Sequence, residues 1–242
     1  MNEPFSHPIP EEHTRTAQVL GADALGRLTA ARVAVFGVGG VGGHIAEALA
    51  RTGVGHIDLF DRDVVSLSNI NRQVVALHST VGRPKVEVMA ARIRDINPLC
   101  EVKAHEVFYL PETADAFDLS GYDAVADAID TVAAKVELAV RCHAAGVPLV
   151  AAMGAGNKLY PERFTVADLS KTTTDPLARV MRRELKKREI QHLTVVYSEE
   201  PPLPPQTATD GERLAPGSLS FVPGAMGLIM AGEIVRLLIG MA

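Results

Sequence analysis

Apolar positions along this chain fall into short β-type runs, separated by stretches of helical period. Val33, Val35 and Phe36 sit in one compact run, and Ile45, Ala46, Ala48 and Leu49 then recur at the spacing of a helix face. His56 to Phe60 is a second run. Val86, Met89, Ala90, Ile93 and Ile96 predict a helix that Pro84 starts and Pro98 stops. Cys100 to Phe108 alternates as a strand, and 109–122 reads as a loop or short helix. Ala124 to Asp130 reads as a buried strand, 132–145 as a helix ended by Gly146, and Pro148 to Met153 as another buried strand. Phe164 to Asp168 and Leu193 to Tyr197 predict two more strands, with a helix starting at Pro176 between them. Upstream, Glu12 to Leu28 reads as helical, broken near Gly21 and Gly26.

This alternation predicts an α/β fold: a doubly wound, Rossmann-like and mostly parallel sheet with C-terminal strands and a helix, in one domain spanning 1–242. Residues 1–12 are polar and proline-rich and predict a mobile end, and 199–217 predict a mobile crossover loop. The stretch from Phe221 to Ala242 is apolar and of membrane-spanning length. Glu233 and Arg236 lie inside it with Pro223, Gly224, Gly227 and Gly232, which favours a helix buried on the sheet or against a second subunit.

Composition narrows the classes. Hydrophobic residues make up 47%, enough for a full core and too many for disorder. The net charge of -5 gives no global basic field for nucleic acid. One dense basic segment does stand out: Arg179, Arg182, Arg183, Lys186, Lys187 and Arg188. It reads either as a solvated helix face or as a phosphate-backbone contact. The two cysteines, Cys100 and Cys142, form no C-x-x-C pair and read as core residues. The N-terminus shows no basic region followed by an apolar core, so the expected compartment is the cytoplasm.

Candidate chemistry begins after the first run. Gly37, Gly39 and Gly42 fit G-x-G-x-x-G between a strand and a helix. Glycine lets the backbone turn sharply and approach a phosphate, and the helix start offers unpaired N–H groups to an anion. Asp61 ends the next run, 19 residues beyond Gly42, where a carboxylate accepts from ribose hydroxyls. The long connection 62–83 carries Asn69, Asn71 and Arg72 beyond a strand's carboxyl end, where such sheets bind ligands. Lys85 sits in a first helical turn, against the helix dipole; a bound polyphosphate or plain solvent exposure would explain it. Asp130 reads as a Mg²⁺ ligand or as an N-cap, and Asp127 equally as a structural acceptor. Arg15, taken alone, is a solvated charge.

Gly37-x-Gly39-Gly40-Val41-Gly42, Asp61, Ser68-Asn69-Ile70-Asn71-Arg72-Gln73, Lys85 and Asp130 together resemble the ubiquitin-activating-type adenylyltransferases of the ThiF, MoeB and HesA kind, over residues 12 to 240. The resemblance implies Mg-ATP as cofactor rather than NAD. Gly37 and Gly40, with Gly39 and Gly42, would cradle the nucleotide, and Asp61 would hold the ribose. Asn71, Arg72 and Lys85 would bind the triphosphate beside Ser68 and Asn69, and Asp130 would hold Mg²⁺. Arg15 matches an arginine that reaches the partner subunit's ATP site, which implies a homodimer.

Asp168-Leu169-Ser170-Lys171-Thr172-x-x-Asp175-Pro176-Leu177, Val196 to Glu200 and Gly217 to Gly227 are similar to the tRNA threonylcarbamoyladenosine dehydratases within that superfamily. That implies adenylation of the carboxylate of the modified adenosine and ring closure with loss of AMP, on a tRNA substrate and with no enzyme cysteine. The second reading is an adenylyltransferase for the C-terminus of a small sulfur-carrier or ubiquitin-like protein, with sulfur-relay partners. A third, an NAD-binding oxidoreductase, leaves Asn71, Arg72, Lys85 and Asp130 without a shared role.

Overall fold

Strand β1 (Arg32–Phe36) occupies the middle of a seven-stranded sheet. The computed structural model describes residues 9–204 and 215–241. Strands β2 (His56–Phe60), β3 (Glu101–His105), β4 (Ala124–Asp127), β5 (Leu149–Ala152), β6 (Phe164–Asp168) and β7 (Thr194–Ser198) complete it in the order β3-β2-β1-β4-β5-β7-β6. All neighbours run parallel except β6, which pairs antiparallel to β7. The order reverses between β1 and β4, and doubly wound sheets open a binding crevice at that point.

β1 is buried on both faces, which is why it is a continuous apolar run rather than an alternating one. Val33 and Val35 enter a core with helices α3 (Gly42–Thr52), α4 (Lys85–Ile96) and α7 (Phe221–Leu238). Ala34 and Phe36 enter a second core with α5 (Val132–Ala145) and α6 (Pro176–Lys186). Ile45, Leu49, Met89 and Ile93 are fully buried, as their helical spacing predicts. Each such side chain contributes roughly 1.5–3 kcal/mol relative to exposure.

Upstream lie α1 (Thr14–Leu20) and α2 (Ala22–Ala30). Gly21, at φ 85°, separates them, but Gly26 lies inside α2 and breaks nothing. A helix-forming sequence on both sides tolerates a glycine at a cost of about 1 kcal/mol against Ala. Segment 109–122 holds only a short 3₁₀ turn, Ala114–Ala116.

Helix α7 is long and apolar enough to cross a membrane by length and composition. Yet Val222, Met226, Met230 and Ile234 are fully buried in the first core. A Cβ on Gly227 would meet the Val41 carbonyl at 2.5 Å, so the glycine permits close approach to the start of α3. Cys100 and Cys142 are buried, and burial pushes their thiols up to about 11 and about 12. Thiols so protonated are inert at neutral pH, as core cysteines should be.

Of the 199–217 loop, positions 205–214 lie outside the described residues, as do 1–8 of the N-terminal segment. The described flanks of the loop are tied down. Asn157 accepts from Leu203 N–H (2.7 Å), donates its own N–H to the Gly217 carbonyl (2.8 Å) and accepts from Gly217 N–H at Oδ1 (2.7 Å).

Candidate functional site

A cleft of about 550 Å³ opens at the carboxyl ends of β1, β2 and β4, at the reversal of strand order. Gly37, Gly39 and Gly40 form its floor. Gly37 has φ 87°, and a Cβ there would lie 2.6 Å from the Ala128 carbonyl. At Gly42 a Cβ would overlap the Gly37 carbonyl at 1.7 Å. These two glycines are therefore dictated by the turn's own packing, and Gly42 stands behind the wall rather than on it. Gly39 differs: the nearest atom to a Cβ there is Gln73 Nε2 at 3.8 Å, so its backbone faces open space. Among the described residues, the N–H groups of Gly39, Gly40 and Val41 have no acceptor. They head α3, whose first turn carries no side-chain cap. Free donors at a helix start, aimed into a cleft, suit an anion.

Asp61 joins the glycine turn to the end of β2. Oδ2 accepts from Val38 N–H (2.7 Å) and Oδ1 from Asp63 N–H (2.8 Å). Each oxygen keeps a lone pair for a further donor. Two residues on, Asp63 Oδ2 holds Lys85 Nζ at 2.8 Å. Lys85 is the first residue of α4 and only 6% exposed, so solvent does not explain its place in the first turn. A carboxylate partner holds it at the cleft wall.

The connection 62–83 divides into scaffold and surface. Asn69 is buried and accepts from Ser66 N–H at Oδ1 (3.1 Å), while the Ser68 and Ser66 hydroxyls share a hydrogen bond (3.0 Å). These contacts close a 3₁₀ turn, Leu67–Asn69. Arg72 lines the cleft, donating to the Ser68 carbonyl (2.8 Å) and to Asn71 Oδ1 (2.9 Å). Asn71 stands behind it and donates to the Ser218 carbonyl (3.0 Å), on the far side of the crossover loop. Asn69 reaches the lining, whereas Ser68 and Asn71 do not.

At the end of β4, Asp127 and Asp130 have separate environments. Asp127 is fully buried, accepts from Ile129 N–H (3.1 Å) and forms an ion pair with the fully buried Lys135 (2.9 Å). It is a structural acceptor. Asp130 is exposed at the cleft, contacted by the Thr131 hydroxyl at 3.3 Å. It does not cap α5, because Thr131 takes that position.

Arg15 lies elsewhere, in a shallow groove with Glu11, Thr14, Gln18 and Val19, and does not enter the cleft of its own chain. Lining residues absent from the sequence candidates include Gln73, Arg62 and Phe108. Gln73 is buried, with Oε1 lacking a partner among the described residues, and its place in the Asn-x-Asn-Arg-Gln run was its signal. Arg62 lies 3.7 Å from the ring centroid of Phe108, and both line the cleft. Nothing in the sequence links those two residues.

The profile described as the ThiF family matches residues 12–242. The chain is 45% identical, over 93% of both chains, to a protein of Bacillus subtilis named tRNA threonylcarbamoyladenosine dehydratase. It is 46% identical to one of the same name from Escherichia coli, over 71% of this chain and 64% of that protein. A crystal structure of E. coli tRNA N6-threonylcarbamoyladenosine dehydratase, TcdA, in complex with ATP superposes with a TM-score of 0.88 at 36% identity, covering 95% of this chain and 94% of that one.

Proposed function

This chain belongs to the ThiF family, and from that premise we propose that it is an ATP-dependent tRNA threonylcarbamoyladenosine dehydratase. The main support is convergence: five separate segments bring Gly39, Asp61, Arg72, Lys85 and Asp130 to one cleft. The relative at 45% identity over 93% of both chains supports the choice of reaction.

In this reading, ATP lies across the glycine turn. Asp61 accepts from the ribose, and the free N–H groups of Gly39 and Gly40 face the phosphates. Arg72 and Lys85 offset the charge that builds on the departing pyrophosphate, and such preorganised donors act strongly where water is excluded. Asn71 and Asn69 hold the Arg72 segment in place. The substrate carboxylate attacks the α-phosphorus and pyrophosphate leaves, giving an acyl-adenylate. Ring closure by a nucleophile within the modified nucleoside then expels AMP. The enzyme supplies no nucleophile, in keeping with two buried, protonated cysteines.

Asp130 fits a magnesium site: it is an exposed carboxylate at the cleft with one weak neighbour, and Mg²⁺ prefers one or two carboxylates plus phosphate oxygens. A magnesium ion held by Asp130 would neutralise phosphate charge. Arg15 points to a homodimer, in which it enters the second subunit's cleft.

Mass spectrometry of tRNA nucleosides after incubation with Mg-ATP tests the reading. Threonylcarbamoyladenosine should lose one water, and Asp130→Ala should lower the rate by about 10²–10³. ATP-dependent adenylation of a small carrier protein, with the nucleoside unchanged, would replace this function with the carrier one.

A further inference from the structure

The basic helix α6 has no role in the cleft, and the structure sorts its cations into two kinds. Arg182 is committed internally: its guanidinium donates to the carbonyls of Leu169 (3.1 Å) and Thr172 (2.8 Å) and to the Thr172 hydroxyl (2.5 Å). It pins the loop before the helix. The others stay outside. Glu184 alone faces Arg183, Lys187 and Arg188 (3.1, 3.0 and 3.5 Å), while Arg179 and Lys186 have no carboxylate partner among the described residues.

Ala178, Met181 and Leu185 form the buried face of α6. Arg179, Arg183 and Lys186 are exposed, at i, i+4 and i+7. That spacing makes a row of cations about 10 Å long on one side of the helix. The row has a fixed relation to the cleft. Asp175 caps α6 through Ala178 N–H (2.9 Å), and its other oxygen accepts from Gly154 N–H (3.0 Å), next to the lining residues Ala155 and Gly156. Thr174 bonds the carbonyl of Ser198, at the carboxyl end of β7. The helix therefore starts at the end of the sheet that holds the cleft and runs away from it.

We propose that the Arg179–Arg183–Lys186 face carries the phosphate backbone of the RNA whose modified base enters the cleft. This rests on the dehydratase reading. A cleft of about 550 Å³ cannot hold a folded RNA, which needs a surface that leads outward from the same end. The exposed positions of this face, Pro176, Arg179, Arg183, Lys186 and Lys187, include no large apolar side chain, so it lacks the apolar centre of a protein-binding patch. Exposed arginine and lysine in a row, with only Arg183 sharing a carboxylate, match phosphates, and arginine adds bidentate geometry.

The test is tRNA binding across a salt series, with the triple variant Arg179→Ala, Arg183→Ala, Lys186→Ala. Its control is Arg51→Ala, Arg94→Ala, Lys103→Ala, three exposed cations on α3, α4 and β3, towards the opposite sheet edge. The α6 variant should bind tRNA at least tenfold more weakly, with KM for tRNA raised. The slope of log K against log salt should fall by about 2 to 3, as expected for three phosphate contacts. Stabilisation by Mg-ATP and kcat at saturating tRNA should not change. Arg179→Lys with Arg183→Lys should restore most of the affinity, and Arg179→Glu should weaken it further. An unchanged slope, or an equal loss in the control, overturns the surface. Wild-type protein that dehydrates the nucleoside while the α6 variant binds normally overturns the surface alone. Wild-type protein that neither binds tRNA nor dehydrates it overturns the function as well.

Discussion

The two sides of the cleft are built differently. The glycine turn is packed backbone on backbone: Gly42 on the Gly37 carbonyl, Gly37 on the Ala128 carbonyl. The opposite rim is tied by polar side chains. Asn157 fastens both flanks of the crossover loop, and Asn71 joins Ser218 to Arg72. Steric packing has no alternative state nearby, whereas a hydrogen-bonded rim exchanges its bonds with water at small net cost. In the function proposed above, the first side sets where the nucleotide lies, and the second sets how tightly the rim holds the Arg72 segment.

The sharpest break in this contrast is Gly42→Ala. Its Cβ would displace backbone, so cooperative folding should fall by about 4 kcal/mol or more, read by urea unfolding. Gly39→Ala, with no atom inside 3.8 Å, should keep stability within about 0.5 kcal/mol and weaken ATP binding instead. Next is the ion pair beneath the turn. Lys135→Met strands the buried Asp127 carboxylate and should cost about 3–5 kcal/mol. Adding Asp127→Leu should recover much of it, because the pair is then replaced by apolar groups rather than broken.

On the hydrogen-bonded rim the effects are smaller. Asn157 has φ 56°, a left-handed conformation. Asn157→Gly keeps the backbone and removes one hydrogen bond, so KM for ATP should rise roughly 3- to 10-fold, equivalent to about 1 kcal/mol. Asn157→Ala adds backbone strain, and its melting temperature should fall as well. Equal behaviour of the two variants would show that the side-chain bond, not the backbone conformation, sets the rim.

The smallest effect concerns pH. His44, near the start of α3, packs against Gly224 and Gly227, and burial lowers its pKa below the ordinary 6.5. The folded state then binds the proton less readily than the unfolded chain. Stability present above about pH 6.5 is lost as pH falls towards the depressed value, then levels off. His44→Gln should flatten that part of the stability–pH curve.

The local features were legible because their causes are local. The β1 run, the positive φ of Gly37 and the Asp175–Pro176 start of α6 follow from side-chain period and backbone sterics within a few residues. Asp127 was open between two readings, and Lys135, eight residues on in the first turn of α5, decided it. Gly26 misled because a glycine signals a break only where the chain must turn. Lys85 stayed open between two readings because its partner Asp63 is 22 residues away.

By itself the sequence determined the α/β alternation, the glycine turn and the acidic and basic candidates, since periodicity and steric limits act along the chain. Only the tertiary structure decided which candidates share a cleft. It set Arg72 and Lys85 on the wall and Ser68 and Asn71 behind it, brought Arg62 over Phe108, and separated Arg182 from its exposed neighbours. Those distinctions depend on contacts between segments tens of residues apart, which packing fixes and no local pattern records.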